Sequence, residues 1–225
     1  MSNLCVIPAR GGSKRIPRKN IKDFLGKPII AYSIEAALSS GLFDEVMVST
    51  DDEEIAAIAK EYGASIPFFR NKENANDFAT LADVIDEVKI YYQEKGVDFD
   101  TVCCFLPTAP FVSANLLNKG FKLLKEQNVD SVKPIVRFSY PIQRSVKIND
   151  VGLLDMFYPE HQKTRSQDLE PAYHDAGQFY WMTYETGLRG NKKYGFEISE
   201  QLVQDIDTDE DWKIAELKYR FNFDK

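Results

Sequence analysis

The chain is predicted to fold as a three-layer α/β domain of doubly wound type, with a mostly parallel sheet and a small β-arm inserted late in the sequence. Three observations carry this. Short apolar runs alternate with helix-period segments through the first 136 residues, which demands parallel strands joined by crossover helices. The strands are apolar almost throughout, as in Val102-Cys103-Cys104-Phe105-Leu106, which fits a sheet covered on both faces. A glycine-rich, cation-rich turn follows the first run directly, at the expected carboxyl end of the sheet, where open α/β sheets bind ligands.

In chain order, strands are expected at 4–9, 46–50, 65–69, 101–106 and 131–136, from runs rich in β-branched and aromatic residues. Helical patterns fill 28–40, 53–62 and 80–95 between the first four, and 114–127 before the fifth. The alternation stops after residue 137. From about 138 to 170 come scattered prolines, a turn signal at Asn149-Asp150-Val151-Gly152, and short alternating segments at 145–148 and 153–158, which read as a hairpin arm. A strand pattern resumes at 178–183, and a last helix is expected from Thr208 to about Tyr219. Residues 1–225, 44% of them hydrophobic, are enough for one sizeable core, so one domain carrying the arm is expected.

Composition narrows the function classes. A net charge of −7 disfavours nucleic acid as a partner. No run approaches the ~20 apolar residues of a membrane span, and Met1-Ser2-Asn3 leads into a strand without a basic and apolar leader, so a soluble, cytoplasmic protein is expected. Three cysteines suit a reducing compartment; Cys103 and Cys104 are adjacent in a strand and face opposite ways, which argues against a shared metal.

Against that acidic background, Arg10, Lys14, Arg15, Arg18 and Lys19 concentrate five positive charges around Gly11, Gly12 and Ser13. Glycines let backbone N–H groups approach an anion, arginine offers forked contacts to phosphate and lysine a point charge. The loop therefore reads as a phosphate-binding loop, with Asn20 and Lys19 closing it, although it matches neither the Walker pattern nor the dinucleotide fingerprint. Near the other end, Asp205 and Asp207 are two apart in an extended stretch, which puts both carboxylates on one face, suited to a hard divalent cation. The acids that follow, Asp209, Glu210 and Asp211, belong to a helix start, with Thr208 and Asp211 as a capping box. Asp51 is a third carboxylate of interest, as a metal ligand or as a cap for the helix after it. Thr80 and Asp83 read either as a cap or as nucleotide contacts.

Taken together, Ile7 to Lys14, Lys19-Asn20, Gly26-Lys27-Pro28, Val48-Ser49-Thr50-Asp51, Leu106-Pro107-Thr108-Ala109-Pro110, Arg165-Ser166-Gln167, Asp175-Ala176-Gly177 and Asp205-Ile206-Asp207-Thr208 resemble, in order and approximate spacing, the acylneuraminate cytidylyltransferase family, which activates acidic eight- and nine-carbon sugars as CMP conjugates. The resemblance covers nearly the whole chain and implies a nucleotidyltransferase, Rossmann-like sheet. It assigns Arg10, Gly11, Gly12, Ser13, Lys14, Asn20 and Thr80 to CTP, and Asp205 and Asp207 to Mg²⁺. Arg10, Lys14 and Asp207 would serve transfer itself, while Leu106, Thr108, Arg165, Gln167, Asp175 and Gln178 would meet the acceptor. In the family such an arm meets a second subunit, so the resemblance implies a homodimer, with Phe138, Tyr140, Phe157 and Tyr158 either in that contact or packed back on their own subunit. The segment Phe78-Ala79-Thr80-Leu81-Ala82 departs from the family pattern, so base contacts other than Thr80 do not transfer. Arg165 suits a carboxylate and Gln167 sugar hydroxyls or amides. Tyr173 and His174 adjoin them. Leu106 stands where sialic acid synthetases carry glutamine, which favours an acceptor with a methyl terminus; pseudaminic acid has one. The alternatives are the same reaction on N-acetylneuraminate, legionaminate or another ulosonic acid, and a nucleotide-sugar binding protein without catalysis.

Overall fold

The computed structural model describes residues 2–223. Its strands are β1 (Asn3–Pro8), β2 (Asp23–Phe24), β3 (Lys27–Pro28), β4 (Glu45–Ser49), β5 (Thr101–Phe105), β6 (Ser131–Arg137), β7 (Val146–Ile148), β8 (Leu154–Met156), β9 (Tyr173–Asp175), β10 (Phe179–Thr183) and β11 (Lys193–Glu197). The α-helices are α1 (Ile29–Ser40), α2 (Glu53–Glu61), α3 (Leu81–Glu94), α4 (Ala114–Glu126) and α5 (Asp209–Phe223).

The central sheet runs β11-β6-β10-β5-β1-β4, with β9 also on β6. The pairs β1–β4, β1–β5 and β6–β11 are parallel, while β10 enters antiparallel between β5 and β6. Five strands thus point one way, so the sheet is mostly parallel as expected. Apolar side chains cover both faces: Cys5, Ile7, Val48, Cys103 and Trp181 meet α1 and α4 residues such as Ile34 and Leu117, while Leu4, Val6, Met47, Cys104 and Met182 meet Ile85 and Val88 of α3. Gly120 is what lets α4 lie close, since a Cβ there would stand 2.8 Å from Phe179 and 2.9 Å from Trp181. The buried Trp181 indole is satisfied by the Leu117 carbonyl at 3.0 Å.

Three expectations are corrected. Residues 65–69 form no strand: only Ser65 bridges to Met47, because Pro67 has no N–H with which to continue a ladder. Four strands were not expected: β2 and β3 have two residues each, β9 has three and β11 holds Gly195, too little alternation to read. The last helix runs on past Tyr219 to Phe223.

The site is positioned by one irregularity. Ile135 pairs with Asp175 and Val132 with Trp181, so six residues on one side span three on β6. The excess forms a bulge at Ala176-Gly177-Gln178, with Gly177 at φ 61°, beside the carboxyl ends of β5 and β6. From the same end of β6 the chain leaves into the arm, where β7 and β8 pair only with each other.

Candidate active site

The loop after β1 is held by its neighbours. Asn20, buried, donates to the Arg10 carbonyl at 3.0 Å, closing the turn. The Gly11 N–H donates to Asp51 Oδ1 at 2.9 Å, and a Cβ on Gly11 would collide with the Asp52 carboxylate at 2.6 Å, so glycine is required there. Asp52, not Asp51, caps α2, accepting from the Glu54 and Ile55 N–H groups. Asp52 also grips the Arg18 guanidinium, which holds its carboxyl at about 2, below the usual range.

Each loop cation has a carboxylate partner. Arg10 and Lys14 converge on Asp77 at 2.9 and 2.5 Å. Arg15 meets Asp207 at 2.6 Å, and Lys19 donates to the Ile206 carbonyl at 2.6 Å with Asp207 at 3.5 Å. Arg18 pairs with Asp52 and Glu54. Arg10, Ser13, Lys14, Lys19 and Asn20 line a cavity of about 210 Å³ whose far wall is Leu106, Pro107 and Thr108. A second cavity of about 460 Å³ lies beyond Leu106 and Thr108, walled by His174, Asp175, Gly177, Tyr180 and Asp205 among others. Two residues after β5 therefore separate a cation-rich chamber from a mixed polar and apolar one.

Other expected site residues fall as follows. Thr80 and Asp83 form a reciprocal capping box on α3, so the Thr80 hydroxyl is already engaged at 2.7 Å. Asp205 is exposed and lines the larger cavity; its carbonyl accepts from Gln204 Nε2 at 3.0 Å, while its carboxylate accepts no hydrogen bond from the described residues; Asp207 faces the loop cations. Thr208 and Asp211 make the expected capping box. Gln178 is 3% exposed and donates to the Leu202 carbonyl at 2.6 Å; it braces the wall rather than lining it. His174 bonds the Asp175 carbonyl through Nδ1 at 2.9 Å, its ring against Phe138. Arg165 and Gln167 are exposed on the arm, Arg165 paired with Asp168 at 2.8 Å and Gln167 lining a separate hollow at the arm root. One chain does not bring these two to the Leu106 wall.

No motif or spacing singles out Asp77, Lys133 or Tyr180. Asp77 lies 63 residues from its partner Lys14, and Tyr180 reads as one more core aromatic. Burial and the nearby Asp175 carboxylate push the Tyr180 phenol well above its usual range, so it stays protonated.

For Mg²⁺, the donor set fits in type: two carboxylates flank the buried Ile206, one of them without a hydrogen-bond partner among the described residues. No group of three or more His, Cys, Asp or Glu side chains converges there among the described residues, so water and phosphate oxygens would complete the shell.

A mostly parallel α/β sheet, with a phosphate-type loop after its first strand and a second chamber across a shared wall, is the layout of a nucleotidyltransferase. The cytidylyltransferase family profile matches residues 4–221, and the chain belongs to that family. Pseudaminic acid cytidylyltransferase of Campylobacter jejuni subsp. jejuni serotype O:23/36 (strain 81-176) is 45% identical over 99% of this chain and 98% of its own. CMP-N,N'-diacetyllegionaminic acid synthase of Legionella pneumophila subsp. pneumophila (strain Philadelphia 1) is 34% identical over 99% and 98%. The solved CMP:2-keto-3-deoxy-manno-octonic acid synthetase complexed with CTP shares the fold, at TM-score 0.67 and 16% identity over 96% of this chain and 98% of that one.

Proposed function

We propose that the chain transfers CMP from CTP to the anomeric hydroxyl of pseudaminic acid and releases pyrophosphate, with Mg²⁺ as cofactor. The observation that carries this reading is the pair of chambers meeting at Leu106 and Thr108, one walled by cations and the other by a sugar-sized mix of polar and apolar groups. The relative from Campylobacter jejuni, 45% identical over almost its whole length, supports pseudaminic acid as the acceptor.

The acceptor hydroxyl oxygen attacks the α-phosphorus and its proton passes to solvent water, the bond to the bridging oxygen of the β-phosphate breaks, and pyrophosphate leaves; the chain itself forms no bond. Arg10, Lys14, Lys19 and the Gly11 amide would exchange their present partners for phosphate oxygens, and with the Gly12 amide would steady the charge on the leaving group. Asp205 and Asp207 would hold Mg²⁺, which when bound neutralises triphosphate charge. Leu106 would face the acceptor's methyl terminus. A second copy of the chain would cover the arm, where Tyr140 is 86% and Ile148 74% exposed, and would be the means of bringing Arg165 and Gln167 to an acceptor. No described helix is long and apolar enough to cross a membrane, and a cytoplasmic location accords with free, buried Cys5, Cys103 and Cys104.

The test is CTP with a panel of acidic sugars, reading pyrophosphate and product mass. CMP-pseudaminate as the preferred product supports the proposal. Preference for N-acetylneuraminate overturns the acceptor assignment, and no pyrophosphate with any acidic sugar overturns the reaction.

A further inference from the structure

The larger cavity poses an electrostatic problem. Its wall carries three carboxylates, Asp175, Glu200 and Asp205, and one ammonium, Lys218, which is already committed to the Val203 carbonyl at 2.7 Å. An anionic sugar must enter against that charge. Behind the wall stands a second cation: Lys133 of β6 reaches Asp175 of β9 at 2.7 Å, and its ammonium lies 5.9 Å from the Tyr180 ring centre. Asp175 is fixed a second time by the Gly177 N–H at 2.8 Å, inside the bulge that shapes this end of the sheet. The Tyr180 hydroxyl is hydrogen-bonded to the same carboxylate, so Asp175 has three donors from the protein, and its two oxygens, with about four acceptor sites between them, retain acceptor capacity toward the cavity.

We propose that the Lys133–Asp175 ion pair is an acceptor-specificity element, in which Asp175 accepts hydrogen bonds from N–H or O–H groups of the acidic sugar and Lys133 is the positioning residue that aims and neutralises it. The charge accounting explains why both are needed. A carboxylate accepts from sugar donors more strongly than a neutral amide does. Left uncompensated, the same carboxylate repels the acceptor's own carboxylate across the cavity. Lys133 removes the second effect while keeping the first. Lys133 and Asp175 sit on different strands, so the β9–β6 pairing and the bulge set the direction in which the carboxylate is offered. This inference rests on the proposed transfer to an acidic sugar and adds the group that reads it.

The experiment measures kcat and KM for pseudaminic acid and for CTP in wild type, Lys133→Met, Lys133→Arg, Asp175→Asn and the double variant Lys133→Met/Asp175→Asn, with a melting temperature for each. Lys133→Met should raise the acceptor KM about tenfold and leave kcat and the CTP KM within twofold. Lys133→Arg should restore most of the acceptor KM. The double variant should be less impaired than Lys133→Met, because an amide needs no counter-charge. An acceptor KM unchanged in Lys133→Met overturns the inference. So does a rise in both KM values with a lowered melting temperature, since that pattern marks a structural staple between β6 and β9. A wild type inert toward every acidic sugar overturns the underlying reaction instead.

Discussion

The glycine-rich loop and the arm leave the same end of the sheet in opposite conditions. On the loop, Arg10, Lys14, Arg15, Arg18 and Lys19 all have carboxylate partners, and Asn20 locks the turn from inside the core. On the arm, Ile148, Val151, Leu153 and Leu154 stand 64 to 78% exposed, and the two residues expected to hold the acceptor, Arg165 and Gln167, lie outside the cavity at Leu106. The loop's charges are paired within one chain, whereas the arm's apolar side chains are left exposed by it. Exposed ion pairs are weak because water competes for both partners, so under the proposed reaction Asp77 and Asp207 would be exchanged at low cost for a multiply charged triphosphate. Exposed apolar surface has no such low-cost alternative, which is why the proposed function covers it with a second copy.

The largest expected effects test the loop. Arg10→Ala, Asp205→Ala and Asp207→Ala should each lower pyrophosphate release on the order of 10²- to 10³-fold, since each removes a charged partner from the transferring phosphates or their counter-ion. Assayed with excess chelator, the wild type should fall as far; normal rates in any of these would erase the contrast by making the loop an ordinary solvated turn. Next comes the arm. Ile148 and Leu154 face each other in the hairpin, so Ile148→Asp/Leu154→Asp places two like charges in register on the exposed face. We expect sedimentation to show a monomer, calorimetry to show wild-type CTP binding, and transfer to drop at least roughly tenfold. A fully active monomer breaks the comparison.

What could be read from sequence follows from how local each feature is. The loop announces itself because its glycines and cations are contiguous, and β1, β4, β5 and β6 because their apolar runs are long enough to show burial on both faces. The partners were hidden: Asp77 meets Lys14 across 63 residues, and Arg15 meets Asp207 across 192. Thr80 and Gln178 show what sequence cannot: the Thr80 hydroxyl is engaged in a helix cap, and Gln178 gives its amide N–H to the Leu202 carbonyl while its buried Oε1 has no hydrogen-bond partner among the described residues. The larger cavity depends on a bulge at Ala176-Gly177-Gln178, a register event that no periodicity reveals.

A smaller effect sharpens the arm side. Arg165→Lys keeps the charge but loses the fork, so the acceptor KM should rise by the equivalent of about 1–3 kcal/mol while the CTP KM holds. Leu106→Gln, on the wall common to both cavities, should lower kcat/KM for pseudaminic acid relative to N-acetylneuraminate. Steady-state kinetics on both sugars separates the two: if Arg165→Lys shifts the CTP KM instead, the arm serves the nucleotide and the division of labour fails.

The smallest effect concerns how firmly the loop is tied down. Asp52 titrates at about 2 in the folded chain, against 3.8 ordinarily, because Arg18 and the α2 amides favour its charged form. A depressed carboxyl contributes stability above its unfolded value and loses it as pH falls, so the contribution is present above pH 4 and vanishes as pH approaches 2. The full shift would correspond to ~2 kcal/mol, but the Arg18 side chain is 38% exposed and water screens the pair, leaving about 1 kcal/mol. Asp52→Asn isolates that share, because asparagine caps a helix as well as aspartate does and only the charge is lost. Urea unfolding should therefore find the variant less stable than wild type by about 1 kcal/mol at pH 6, with the gap closing as pH falls from 4 toward 2. A gap independent of pH would assign the loss to the cap, and the loop's attachment would then rest on Asn20 and Asp51 rather than on Arg18.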